Sequence, residues 1–191
     1  MAIAASTGGP QALEVVLAGL PVDLPAAVLI VQHMPAGFTS SLAERLNRFS
    51  RLPVGEGQAG ERLEAGRVYL APGGWHMITL LNSRGEPIIG LDNSPPVRGL
   101  RPSADLLFST VAETFGRRAI GVVLTGMGSD GREGLSRIKE KGGWTLAQDE
   151  GTSLIYGMPR MAAAVADVIV PLPAIASEIA NAARKVAETG G

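Results

Sequence analysis

A hydroxyl, an imidazole and a carboxylate stand at the ends of three of the most apolar runs in this sequence. Ser6 follows Ile3-Ala4-Ala5 and precedes Thr7-Gly8-Gly9-Pro10. Two glycines there allow a sharp turn, and Pro10 suits the first position of a helix. His33, in Gln32-His33-Met34-Pro35, closes the apolar run of residues 26–32, and Asp130 lies in the loop Gly126-Met127-Gly128-Ser129-Asp130-Gly131 after the run of residues 119–124. Nucleophile, general base and orienting acid are the parts of a serine hydrolase. A helix starting just after Ser6 would add unpaired amides and a positive dipole end, a setting that favours developing negative charge.

Each residue also has a plainer reading. Ser6 fits a helix N-cap or a phosphate cradle, His33 a loop histidine, and Asp130 before Gly131 the N-cap of the next helix. The chain order Ser, His, Asp differs from the α/β-hydrolases, and no G-x-S-x-G surrounds Ser6. A second chemistry is written into the same loop. Gly126, Gly128 and Gly131 spell G-x-G-x-x-G between a strand and a helix, with Asp149 and Glu150 at the next strand end. That is the pattern of a nucleotide-binding oxidoreductase. Asp130 inside the loop and Glu133 in the following turn oppose it, because carboxylates repel phosphate and suit a cationic histidine.

Positioning these groups requires a particular set of elements. Residues 3–5, 26–32 and 119–124 are apolar throughout, as strands covered on both faces must be. Helical spacing links Leu13, Val16, Leu17 and Leu20, and then Leu42, Leu46 and Phe49 behind a Ser41–Glu44 capping box. Residues 53–56 suit an edge strand. Short runs at 67–70, 77–81 and 88–91, split by turn residues, predict a small antiparallel insertion. After a proline-rich loop at 92–102, Ser103 is placed to cap a helix carrying Leu107, Val111 and Phe115. A helix from the glycine loop to about residue 141, strands at 144–147 and 168–170, and a C-terminal helix striped by Ile175, Ile179, Ala183 and Val186 complete the pattern. The fold class is therefore α/β: a three-layer, mostly parallel, doubly wound sheet with helices on both faces. Functional groups in such sheets collect at the carboxyl ends of the strands near a switch point.

Composition narrows the partners. With 191 residues, 46% of them apolar, the chain fits one well-filled domain. A net charge of −1 argues against a general nucleic-acid binder, and no basic block marks a membrane surface. The absence of cysteine excludes disulfides, thiolate metal sites and a cysteine nucleophile, and two histidines are too few for a histidine-rich metal site. No run reaches the length of a membrane span and no signal peptide is evident, so the expected compartment is the cytoplasm. The chain opens almost inside a strand, which leads us to expect a preceding segment.

Five motifs together resemble the catalytic domain of the chemotaxis protein-glutamate methylesterases. They are Ala5-Ser6-Thr7-Gly8-Gly9-Pro10, Gln32-His33-Met34-Pro35, Arg101-Pro102-Ser103, Leu124-Thr125-Gly126-Met127-Gly128 with Asp130-Gly131, and Tyr156-Gly157-Met158-Pro159. The resemblance runs over nearly the whole chain and implies hydrolysis of glutamate γ-methyl esters on chemoreceptors to glutamate and methanol, without a cofactor. It also implies a capacity to deamidate receptor glutamines. The family's nucleophile, base and acid fall on Ser6, His33 and Asp130. Apart from the resemblance, Thr7, Met127, Gly128 and Met158 are candidate substrate and oxyanion contacts, with turn packing the alternative for Thr7 and space-filling for the methionines; residues 148–156 are the candidate rim of the groove, and His76 is taken as a structural residue. Two departures stand out: the receiver domain that usually precedes this domain is absent from the 191 residues, and Ala4 replaces a common glycine. A non-catalytic receptor-binding module is the remaining alternative.

Overall fold

Strand β1 (Ala2–Ala5) is buried along its whole length, and the main sheet is arranged around it. The structure, a computed structural model, describes residues 1–189. β2 (Val28–Gln32) flanks β1 on one side and β7 (Ile120–Val123) on the other. Beyond β2 lie β4 (Val68–Leu70) and the edge strand β3 (Val54–Glu56); beyond β7 lie β8 (Trp144–Gln148) and β9 (Val168–Val170). All pairings in this sheet are parallel, in the order β3-β4-β2-β1-β7-β8-β9. The chain winds outward from β1 toward β3 and β4, then returns to start again at β7. The switch of direction therefore falls between β1 and β7, next to Ser6.

Alternation along the strands builds two cores. Ile3, Ile30, Val122 and Leu124 pack with α1 (Gly9–Gly19), α2 (Thr39–Phe49) and α6 (Leu172–Thr189). Ala4, Val31 and Val123 pack with α3 (Ala104–Phe115), α4 (Arg132–Glu140) and α5 (Met158–Ala163). The second core is extended by an antiparallel hairpin, β5 (His76–Leu81) and β6 (Pro87–Asp92), through Met77 and Ile89. The hairpin is tied to α3 by Thr79, whose N–H donates to Thr110 Oγ1 and whose hydroxyl lies 2.8 Å from Thr114 Oγ1.

Several expectations need correction. Residues 67–70 were expected in the antiparallel insertion, but Val68–Leu70 is an inner strand of the main sheet, with Tyr69 opposite Leu29. All three of its residues are buried, as parallel partners and two covering layers require; a run this short carries no periodicity to reveal that. The Ser41–Glu44 capping box is not formed. α2 begins three residues earlier than that box implies, at Thr39, whose Oγ1 accepts the Gly73 N–H at 2.9 Å, and both Ser41 and Glu44 are exposed within the helix. Phe49 lies off the buried face, at 51% exposure. The short helix α5 is absent from the sequence-based pattern.

α3 and α4 meet at Gly134. A Cβ there would lie 2.5 Å from Phe108 Cβ and 2.9 Å from the Asp105 carbonyl. Gly134→Ala is expected to cost about 1–3 kcal/mol by forcing the helices apart. The check is a lower urea midpoint with an unchanged m-value.

Candidate active site

Where β1 ends, Ser6 donates its N–H to the Thr125 carbonyl at 3.0 Å and accepts the Gly9 N–H at 2.8 Å. The chain turns through Thr7 and Gly8, with Gly8 at φ +81°, and enters α1 with Pro10 in its first turn. The residue at the N-cap of α1 is Gly8, so the N-cap reading of Ser6 does not hold. Ser6 Oγ makes no hydrogen bond among the described residues and is partly exposed. On the neighbouring strand His33 N–H donates to the Ala5 carbonyl at 3.0 Å, one step past the Ala5–Gln32 pair, which sets His33 beside Ser6.

Asp130 holds the far side of His33. His33 Nε2 lies 2.7 Å from Asp130 Oδ2, with the two side chains 8% and 4% exposed. The carboxylate also accepts the Ala104 N–H on Oδ2 (2.6 Å) and, on Oδ1, the Ser103 hydroxyl (2.9 Å) and the Asp105 N–H (3.0 Å). Four donors leave it one orientation. Asp130 was weighed as the N-cap of the helix that follows it; it caps α3 instead. Ser103 occupies the N-cap position of α3 but turns its hydroxyl to Asp130 rather than to its own helix. The cap of α4 comes back from α3: Asp105 Oδ1 accepts the Gly131 and Gly134 N–H groups, each at 2.9 Å. The loop leading into α4 thus supplies the carboxylate that caps α3, and α3 the one that caps α4.

Burial alone would push the Asp130 carboxyl up, but the His33 ring and the amides of Asp105 and Ala104 outweigh it and hold it at about 2. Asp105 moves the other way: burial raises it despite the Gly134 amide, and the neighbouring Asp130 charge adds to the rise. Arg98 lies 3.4 Å from Asp105 Oδ2 and also pairs with Glu133. Asp105→Ala is expected to lower stability by about 1–2 kcal/mol through the lost cap of α4, read by urea unfolding. His76 is fully buried behind this cluster. Its Nδ1 accepts the Ser103 N–H at 3.1 Å and its Nε2 lies 3.3 Å from the Pro95 carbonyl, a pair of contacts that fits the neutral ring with its proton on Nε2.

The glycine loop supplies amides on the other side of Ser6. Gly126 spends its N–H on the Ile155 carbonyl, and its own carbonyl accepts from Gly157 and Met158. The N–H groups of Thr7, Met127 and Gly128 have no partner among the described residues. Met127 is 76% exposed, whereas Met158 is buried and packs on Gly126 together with Ser6: a Cβ on Gly126 would lie 2.5 Å from Met158 Sδ and 2.7 Å from Ser6 Cβ. Thr7 is exposed, and it is bound through its carbonyl, which accepts from Thr125 Oγ1 at 3.0 Å. The segment after β8 does border the turn, with Leu154 packed over Gly8. Beside His33 a cavity of about 290 Å³ opens between Met34, Pro35, Leu100 and Arg101.

The loop does not offer a pyrophosphate cradle. The α4 amides that would face phosphate are taken by Asp105, and the buried Asp130 carboxylate stands within the same turn. Among the described residues no cluster of three or more His, Asp or Glu is placed to hold a metal ion.

A sequence profile described as CheB methylesterase matches residues 1–179. The chain belongs to the CheB methylesterase family. It is 49% identical over 184 residues to a Pyrococcus horikoshii protein named protein-glutamate methylesterase/protein-glutamine glutaminase, covering 95% of this chain and 50% of that protein. A Chromohalobacter salexigens protein of the same name is 50% identical over 189 residues, covering 99% of this chain and 52% of its own. The chain thus spans about half the length of these curated relatives. A crystal structure titled as the CheB methylesterase catalytic domain of Thermotoga maritima superposes with a TM-score of 0.91 at 38% identity, covering 94% of this chain and 96% of that one. In this CheB-family site Gln32 and Asp105 were not anticipated, and Ser103 was anticipated only as a cap. For Gln32 the available signal was a polar residue ending a buried strand; for Asp105 it was an acid in the first turn of α3.

Proposed function

We propose that this chain hydrolyses glutamate γ-methyl esters on chemoreceptors, releasing methanol, with Ser6 as nucleophile, His33 as general base and Asp130 as orienting acid. The observation that carries this reading is the buried 2.7 Å contact between His33 Nε2 and Asp130 Oδ2, beside a serine hydroxyl with no bond of its own. With Nε2 engaged, Nδ1 is the ring nitrogen left to take the Ser6 proton. No Ser6–His33 hydrogen bond is present among the described residues; nucleophile–base bonds commonly tighten only when substrate is bound.

Ser6 Oγ attacks the ester carbonyl as His33 accepts its proton. Asp130, held anionic by four donors, fixes the imidazole tautomer and stabilises the imidazolium. The free amides of Thr7, Met127 and Gly128 are the oxyanion donors, each worth about 3–4 kcal/mol in sites of this kind. His33 then protonates the departing methoxide, and water hydrolyses the glutamyl-enzyme. Replacing methanol by ammonia as the leaving group gives glutamine deamidation through the same acyl-enzyme, an activity for which the relatives are named. Chemoreceptors are the partners this reading requires, the cytoplasm is its setting, a preceding receiver domain is its natural regulator, and no cofactor enters.

The test is methanol release from receptor carrying glutamate γ-methyl esters, parent against Ser6→Ala. Release by the parent alone supports the assignment; equal release by both removes Ser6 from the mechanism. Receptor binding without any methanol release would favour a binding module.

A further inference from the structure

Gln32 ends β2 with its side-chain amide turned across the gap between the first two strand ends. The parallel ladder of β1 and β2 runs through the His33 N–H to the Ala5 carbonyl and then stops. Its next rung in this register, Thr7 N–H to the His33 carbonyl, is not made: the chain leaves the strand at Thr7 and turns through Gly8 into α1. In place of that rung Gln32 Nε2 donates to the Ser6 carbonyl at 2.9 Å and to the His33 carbonyl at 3.1 Å. One primary amide therefore fixes the main-chain carbonyls of both the nucleophile and the base.

The other end of the same amide is held at a cost. Gln32 is 2% exposed, and its Oε1 has no hydrogen-bond partner among the described residues. It is pressed against Gly9, where a Cβ would come within 1.9 Å of it. Turning the amide over would aim Oε1 at two carbonyl oxygens and lose both bonds. Buried orphan acceptors are rare and need a reason; here the reason lies at the Nε2 end.

We infer that Gln32 is a positioning residue for the Ser6–His33 pair, setting the approach of hydroxyl to imidazole through the two carbonyls it bridges. It touches neither substrate nor reacting atoms, and the inference rests on the esterase reading above. Proximity catalysis is sensitive to such placement, since a misplacement of about 1 Å is able to cost on the order of 100-fold in rate.

The experiment compares the parent, Gln32→Met, Gln32→Glu and Ser6→Ala on methyl-esterified receptor, with urea unfolding of each. Gln32→Met keeps the length and loses both donors; its kcat is expected to fall roughly 10- to 100-fold with KM nearly unchanged. Gln32→Glu donates one bond when protonated and none when ionised. Its kcat relative to the parent is therefore expected to decline as pH rises, a signature that packing alone does not produce. An active parent with an inactive Ser6→Ala, but with both Gln32 variants at parental kcat, overturns the positioning role and leaves the esterase reading standing. Variants that lose the fold instead of turnover overturn it too, since Gln32 would then serve stability alone. A parent that cleaves no ester overturns both readings together.

Discussion

Ser6→Ala is expected to lower methanol release by roughly 10⁴-fold or more while leaving the fold intact. The size follows from its proposed role, because without Oγ no acyl-enzyme would form and only the candidate oxyanion amides and binding would remain to accelerate the reaction. The silence in stability follows from the geometry. Ser6 Oγ makes no hydrogen bond among the described residues, so its removal orphans nothing. The Cβ that packs against Gly126 is retained, and so are the main-chain bonds to Thr125 and Gly9. Urea unfolding should agree between parent and variant to within about 0.5 kcal/mol. A variant that loses both turnover and stability would contradict this account of the turn.

Asp130→Ala should show the opposite pattern, losing turnover by about 10⁴-fold and stability by about 3–5 kcal/mol. The first loss reflects His33 set free to rotate and to change tautomer. The second reflects four buried donors left without an acceptor: the His33 ring, the Ser103 hydroxyl and the amides of Ala104 and Asp105. Acid separates the two proteins further. The folded-state value of about 2 lies below the ordinary 3.8, so the stabilisation is fully present above about pH 3.8 and is lost as pH falls toward 2. Over that window the parent should lose on the order of 2 kcal/mol that the variant does not. Urea midpoints at pH 5 and pH 2.5 are the measurement. A gap between the two proteins that stays constant with pH would show that Asp130 is not the group being titrated.

The sheet was legible because its inner strands are apolar without interruption, a pattern that only two covering layers explain. The ends of those strands then brought Ser6, His33 and Asp130 to one edge. What stayed hidden was set by contacts distant in sequence. Nothing local distinguishes Val68–Leu70 as an inner parallel strand, since its partners are 14 and some 40 residues away in sequence. Asp130 before Gly131 has every local mark of a cap for its own helix, and only the packing of α3 on α4 sends it to Ser103, Ala104 and Asp105 instead. Gln32 reads as the polar end of a strand until the missing ladder rung is seen.

The exchanged caps of α3 and α4 bear on how this site can change over evolutionary time. Functional residues are commonly a burden on the fold, and replacing them stabilises the protein at the expense of activity. Asp130 escapes that conflict: the contacts that keep it anionic beside His33 are the same ones that close the end of α3. On the proposed mechanism, selection for a durable fold and selection for a working acid therefore act on one side chain in the same direction. Drift at this position is opposed even while the proposed activity is not needed. Ser6, with its unbonded hydroxyl, has only its proposed role as nucleophile to preserve it.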